Sequence, residues 1–417
     1  MGSTTSHDSA FHRWLVQKLH KKIGAPKVRV MVGDSAPFPA NLADAIATVR
    51  IDGWRTLAWL ALNPEVGFGD AYRDGRIRVE GDLLQLLEAV LESMPDGTEA
   101  GWHSRLFSRW LEWLQANTLR GSARNIHQHY DLSGDFYKLW LDSNLLYTCA
   151  YFPDPGATLE QAQIAKMDHV CRKIRLQPGE RVVEAGCGWG ALALHMAGQY
   201  GAKVRAFNIS HEQILLARDR AKREGLEKLV EFVEDDYRNI IGQYDVFVSV
   251  GMLEHLGLDN YEGLGDVIHR TIGDSGRGLL HFIGRNQPRA FSPWIRKRIF
   301  PGAFAPSLAQ SLEVLEPRNF SVLDVENLRL HYARTLELWL ERYERSWDTV
   351  VKMFGAEFAR AWRLYLAGSI ASFRVGNLQL FQIVFAGSKC QQIPWTRAHV
   401  YSGESESEKK LWMRAIS

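Results

Sequence analysis

Three glycines at alternate positions, Gly186, Gly188 and Gly190, follow the short apolar run Arg181 to Glu184 and precede a helical pattern from Ala191. Alternating glycines let a chain turn sharply and let a ligand approach where a Cβ would otherwise stand. A dinucleotide turn of the dehydrogenase type would read G-x-G-x-x-G with an acid about 20 residues on. Here the third glycine comes one residue early, and an acid, Glu184, sits two residues before the first. A bare strand-to-helix connection is the plain alternative. Glu254 is placed where chemistry is expected: it ends the apolar run DVFVSVGML, at the strand edge where open α/β sheets bind ligands. Cys149, His281 in GLLHFI and Tyr332, each taken alone, read as ordinary core residues.

Those residues need a scaffold of alternating strands and helices. Strand patterns fall at 181–184, 203–208, 229–234, 245–250, 278–283 and 379–385, with helical patterns at 159–176, 191–200 and 211–224 between them. The nearly unbroken apolar character of Asp245 to Val250 suits a sheet buried on both faces. The fold class expected is α/β, a doubly wound, mostly parallel Rossmann-like sheet. Residues 1–98 read as a small α+β unit, with strands at 28–32, 46–51 and 75–81 and helices at 54–63 and 83–91. Residues 102–417 read as a second, larger unit that holds these residues, opening on a tryptophan-bearing helix at 102–119 and carrying an insertion at about 285–345. The tail from Ser402 is polar.

Several motifs in order carry a resemblance. The glycine turn with Glu184 resembles the S-adenosylmethionine (SAM) turn of class I methyltransferases. Upstream stand NIHQHYDLSGDFY from Asn125 and LYTCAYF from Leu146; downstream stand SVGMLEHLG from Ser249, LHFIG from Leu280, HYARTLELW from His331 and FRVGNLQL from Phe373. Together they resemble the cyclopropane-fatty-acyl-phospholipid synthase family over about 125–385. The N-terminal unit matches in size and character only.

The resemblance implies methyl transfer from SAM to a cis double bond of an unsaturated phospholipid acyl chain, then loss of a proton from the new methyl to close a cyclopropane. It implies a bicarbonate base held by Cys149, Glu254, His281, Ile283 and Tyr332, with Cys149 and Ile283 acting through backbone N–H groups. It implies SAM contacts from Tyr147, Thr148, Glu184, Gly186, Gly188, Asn208, Gln213, Asp236 and Tyr237. The second strand of the methyltransferase class usually ends in an acid for the ribose; here Asn208 stands there. Gln213 also fits a capping box with Ser210. An alkene is a weak nucleophile and its cation is trapped by water, so the chemistry needs a sulfonium donor and a dry, electron-rich pocket. The competing readings are a methyl-branched or methylene lipid product, a small-molecule N-methyltransferase, and a non-catalytic lipid binder.

The 417 residues carry 50 Lys plus Arg against 48 Asp plus Glu, a net charge of +2, which argues against a nucleic-acid coat. Positive charge is local. Arg285, Arg289, Arg296, Lys297 and Arg298 lie among aromatic residues with no acid between them, and His12 to Lys22 is a second basic stretch. Both suit an anionic lipid surface. Four cysteines without C-x-x-C spacing signal neither a disulfide framework nor a zinc site. A polar start and the lack of a spanning apolar run lead to the expectation of a cytoplasmic protein on the inner face of the membrane. Family members are often homodimers, and no interface is readable in the sequence.

Overall fold

The computed structural model describes residues 10–24, 27–93, 134–289 and 291–401. The expected helix at 102–119, the NIHQHYD part of the upstream motif and the polar tail lie outside them. The chain starts with helix Ala10–Lys22, then builds a three-stranded sheet from β1 (Val28–Val32), β2 (Ala47–Ile51) and β3 (Ile77–Gly81). β1 and β2 run parallel, and β3 pairs antiparallel with β2. Alternation sets its faces: Val28, Val30, Val32, Ala47, Val49 and Ile51 all point inward. Helices Trp54–Leu62, Pro64–Arg73 and Leu83–Ser93 complete the unit.

The second sheet has seven strands: β4 (Arg181–Ala185), β5 (Lys203–Asn208), β6 (Val230–Glu234), β7 (Val246–Val250), β8 (Arg277–Gly284), β9 (Ser321–Asn327) and β10 (Gln379–Ala386). Their order is β6-β5-β4-β7-β8-β10-β9. β4 to β8 run parallel to one another, and β10 runs antiparallel to both β8 and β9. The chain winds outward from β4 through β5 to β6, then crosses back to β7. The strand order therefore reverses between β4 and β7, which is where such sheets open a crevice. This is the α/β, mostly parallel architecture expected. Within 285–345 the chain re-enters the sheet as β9, a strand the sequence pattern did not reveal.

One continuous hydrophobic core joins the two sheets, with Leu57, Tyr72 and Leu86 of the N-terminal unit in the same cluster as Trp339, Trp362 and Leu366. Much of the aromatic content sits beside the crevice. Trp140 packs edge-on to Trp339 at 5.5 Å, Phe136 to Trp362 at 5.1 Å, and Tyr137 to Trp189 at 4.9 Å. Tyr147 joins this cluster through Trp339 at 5.4 Å. The aromatic wall thus fixes both the Tyr147 segment and the glycine turn that carries Trp189.

Candidate active site

The glycine turn follows β4 directly. Gly188 has φ +53, and a Cβ there would meet nothing within 4 Å, so its bare backbone faces open space. Gly251, just after β7, has φ +75, and a Cβ would come 3.0 Å from Thr148 Cγ2. Only glycine serves both the left-handed backbone and that close approach.

The segment opposite, Tyr147 to Phe152, has no regular structure and is held by other elements. Gln163 Nε2 donates to Thr148 O at 2.9 Å and Lys166 Nζ donates to Thr148 Oγ1 at 2.8 Å. Ala150 N donates to Thr335 Oγ1 at 3.0 Å and Phe152 N to His331 Nδ1 at 3.0 Å. Tyr147 and Tyr365 share a hydroxyl hydrogen bond of 2.8 Å. Helix Leu159–Lys173 and helix Arg329–Arg345 therefore clamp this irregular segment from two sides.

Two cavities meet at this segment. The smaller, about 170 Å³, is lined by all nine residues expected to contact SAM: Tyr147, Thr148, Glu184, Gly186, Gly188, Asn208, Gln213, Asp236 and Tyr237. The larger, about 1410 Å³, is lined by all five expected around the anion: Cys149, Glu254, His281, Ile283 and Tyr332. Tyr147, Thr148, Gly251, His255 and Phe300 line both. The larger cavity is also walled by Val28, Val30, Val49 and Ile51, so the inward face of the N-terminal sheet forms part of it.

Glu254 lies in a short 3-10 turn after β7 and is buried. Its Oε1 accepts from Ile283 N at 3.4 Å, and its Oε2 has no hydrogen-bond partner. Burial pushes its carboxyl up to about 7. His281 on β8 is fully enclosed. Gln382 Nε2 on the neighbouring β10 donates to His281 Nδ1 at 3.0 Å, so the imidazole proton resides on Nε2, which has no partner. Burial pushes His281 well below its ordinary range, so it is neutral. Tyr332 packs against Phe373 at 4.7 Å. Burial pushes the Cys149 thiol well up, and its Sγ donates to Ala150 O at 3.1 Å. A neutral imidazole N–H, a carboxyl that readily carries a proton and a strand-end N–H therefore face one space. Such a donor set fits a small oxyanion.

In the smaller cavity Glu184 is buried, its Oε2 is unpartnered, and burial pushes it up to about 8. Asn208 Nδ2 donates to Gly188 O at 3.2 Å and to Gln213 Oε1 at 2.6 Å. The capping box read at Ser210 does not form, since Ser210 makes no side-chain cap bond. Gln213 turns inward to Asn208 instead. Asp236 is engaged by Arg238 through two prongs, at 2.8 and 2.9 Å. Burial pushes Tyr237 up to about 12. A buried carboxyl that holds its proton for want of a partner would regain its charge beside an ammonium group, so its place next to a bare glycine turn fits a ligand that carries one.

Sequence reasoning missed Gln163, Lys166, Thr335, Gln382 and Arg238. Gln163, Lys166, His169 and Lys173 are all buried on helix Leu159–Lys173. Polar residues recurring at helical spacing within a segment that must bury a face were the available signal.

The basic stretch is split between different environments. Arg285 and Arg289 line the larger cavity, and the Arg285 guanidinium lies 5.3 Å from the Phe291 ring centre. Burial lowers Arg285 to about 10. Arg298 forms two hydrogen bonds with Asp70, at 2.9 and 2.8 Å, and buried Trp294 donates to the same carboxylate at 3.2 Å. Arg296 is half-buried and Lys297 is exposed. Among the described residues no helix is long and apolar enough to cross a membrane, and no group of His, Cys, Asp and Glu is arranged to hold a metal.

The family model described as mycolic acid cyclopropane synthetase matches residues 117–383. The chain is 39% identical over 334 residues to the cyclopropane-fatty-acyl-phospholipid synthase of Escherichia coli K12, covering 77% of this chain and 83% of that protein. It is 36% identical over 344 residues to a probable fatty acid methyltransferase of Pseudomonas putida, covering 80% and 86%. The crystal structure of mycolic acid cyclopropane synthase CmaA1 complexed with SAH and CTAB superposes with a TM-score of 0.60 at 30% identity, over 63% of this chain and 97% of that one. The motifs, the sheet order and these matches agree: the chain belongs to the mycolic acid cyclopropane synthetase family and has the α/β methyltransferase fold.

Proposed function

We propose that this protein transfers the methyl group of SAM to a cis double bond of an unsaturated phospholipid acyl chain and closes a cyclopropane ring, with bound bicarbonate as the base. The observation that carries this reading is the meeting of the two cavities at Tyr147, Thr148 and Gly251. A small cavity that carries the buried, unpartnered Glu184 opens there into a larger one walled in part by valine, leucine and phenylalanine. An acyl chain needs such walls, and a carbocation needs water kept out. The SAH bound to CmaA1 supports the assignment of the smaller cavity to SAM.

The family's chemistry assigns each residue a task. Glu184 would face the amino group of SAM, and Asn208 with Gln213 the ribose. Asp236 and Tyr237 would face the adenine, Asp236 while still held by Arg238. Bicarbonate, when bound, would supply the base that removes the proton. It would be held by His281 Nε2–H, the Ile283 and Cys149 N–H groups, the Tyr332 hydroxyl and a protonated Glu254. The raised Glu254 carboxyl supports this arrangement, because a proton on it turns repulsion into a hydrogen bond.

The protein would work as a peripheral enzyme on the cytoplasmic face of the membrane. The exposed Trp14, Trp59 and Leu62, beside exposed Arg13, Lys18, Lys21 and Arg55, support such contact. Lys297 and Arg289 add exposed positive charge on the insertion. The deciding experiment is incubation with SAM and monounsaturated phospholipid vesicles, followed by NMR of the released fatty esters. Ring protons at unusually high field are expected, and turnover should fall when bicarbonate is stripped and return when it is restored. A methylene or methyl-branched ester with no ring signal would assign the product to the fatty acid methyltransferase type instead.

A further inference from the structure

Lys166 is a buried cation that the chemistry above does not use. It lies in the middle of helix Leu159–Lys173, with no exposed surface, and lines the smaller cavity. Its one hydrogen bond among the described residues goes to a neutral hydroxyl, Thr148 Oγ1 at 2.8 Å. Asp142, Cys149 and Glu184 act on it only through the field, and burial lowers its pKa to about 8. Asp142 is engaged elsewhere, accepting from Leu146 N and Asn144 N. Across the same cavity, buried Glu184 keeps Oε2 unpartnered. A buried ammonium and a buried carboxyl that line one cavity without pairing each lack the opposite charge that would offset the cost of burying their charged forms. One ligand class cancels both: a zwitterion carrying a carboxylate and an ammonium on the same carbon.

Resting on the SAM reading above, we propose that Lys166 holds the α-carboxylate of SAM while Glu184 takes its α-ammonium, so the pair selects the amino-acid end of the donor. Lys166 is then a binding residue for the co-substrate. Its bond to Thr148 aims the ammonium and links donor binding to the segment that separates the two cavities.

The test compares SAM with decarboxylated SAM, which lacks only the carboxylate, by equilibrium binding to wild type, Lys166→Met, Lys166→Arg and Thr148→Val. Wild type should bind SAM at least ~10-fold more tightly than the decarboxylated analogue, as expected for a charge-assisted hydrogen bond. Lys166→Met should lose this preference through weaker SAM binding alone, with its affinity for the analogue unchanged. Lys166→Arg should restore part of the preference, and Thr148→Val, which removes the bond that aims the ammonium, should weaken it. Equal loss for both ligands in Lys166→Met would make the lysine a structural support and overturn the proposal. So would a preserved preference in Lys166→Met, or a wild type that does not discriminate. Should Lys166→Met fail to fold, the wild-type ratio and Lys166→Arg decide. A wild type that binds neither ligand would instead refute the SAM reading itself.

Discussion

The backbone N–H of Ile283 donates to the carboxylate of Glu254, with Oε1 3.4 Å away. The two residues come from neighbouring parallel strands, one at the exit of β7 and one inside β8, so sheet register sets their separation. Without an anion, Glu254 is the acceptor available to that N–H. An anion that took this donor would need Glu254 to carry a proton.

Glu254 therefore makes a pH-dependent contribution to stability. Burial raises its folded carboxyl to about 7 from 4.5. A raised acid contributes stability that is fully present below about pH 4.5 and is lost as pH rises through about 7. The loss amounts to about 3 kcal/mol. Glu254→Gln removes the buried charge, so the variant should show a higher Tm than wild type at pH 8 and no gain at pH 4. Turnover should fall about 100-fold with SAM affinity kept. Thermal melts at both pH values and single-turnover rates check this, and an active variant would remove Glu254 from the anion site.

Gln382 positions His281 through its bond to Nδ1. Without that donor the imidazole proton is free to move to Nδ1, and Nε2 becomes an acceptor facing the anion. Gln382→Leu should lower kcat about 10-fold, as loss of an orienting partner does, with SAM affinity unchanged. Because burial holds His281 well below its ordinary range, neither protein should show a histidine inflection between pH 6 and 8. Initial rates check the first point and an imidazole NMR titration the second, since Glu254 itself titrates near 7; a variant with full kcat would contradict the positioning role.

The sheet was legible because β4, β5, β6, β7, β8 and β10 are apolar runs with glycine or polar breaks between them. β9 was not, because it sits at the edge with residues no more than partly buried, such as Leu323 and Asp324, and with Val322 and Val325 exposed. Its alternation is weak and no second face demands apolar side chains. The site residues were legible as family motifs; their supports were not. Thr335 and Gln382 act through single hydrogen bonds across 185 and 101 positions of sequence. Lys166 looks like any surface lysine until its helix is known to be buried at that turn.

Cys149 lines the larger cavity, yet its chemistry should be inert. Burial pushes the thiol well up and Sγ already donates to Ala150 O. The reactive form is the thiolate. Iodoacetamide at pH 8 should leave Cys149 unmodified in the folded protein and label it after denaturation, as read by peptide mass spectrometry. Rapid labelling of native protein would mean an accessible thiolate and a different local structure.

Asp70 ties the N-terminal unit to the insertion. It accepts two bonds from Arg298 and one from Trp294, and a Cβ on neighbouring Gly69 would come 2.3 Å from the Trp294 ring. Burial alone would push the Asp70 carboxyl up; the Arg298 guanidinium outweighs this and holds it below its usual range. Asp70→Asn and Arg298→Gln should each destabilise by about 1–2 kcal/mol, and the double variant should cost little more, giving a coupling of about 1 kcal/mol in urea unfolding. Additive losses would deny the contact. The same geometry separates two effects within the basic stretch. Lys297→Glu tests vesicle binding through exposed charge alone, whereas Arg298→Glu also breaks the tie to Asp70. Vesicle co-sedimentation should fall for Lys297→Glu with Tm unchanged, and for Arg298→Glu only together with a lower Tm. If Lys297→Glu sediments like wild type, the insertion does not meet the lipid surface through this lysine, and contact falls to the exposed Trp14 and Trp59 face.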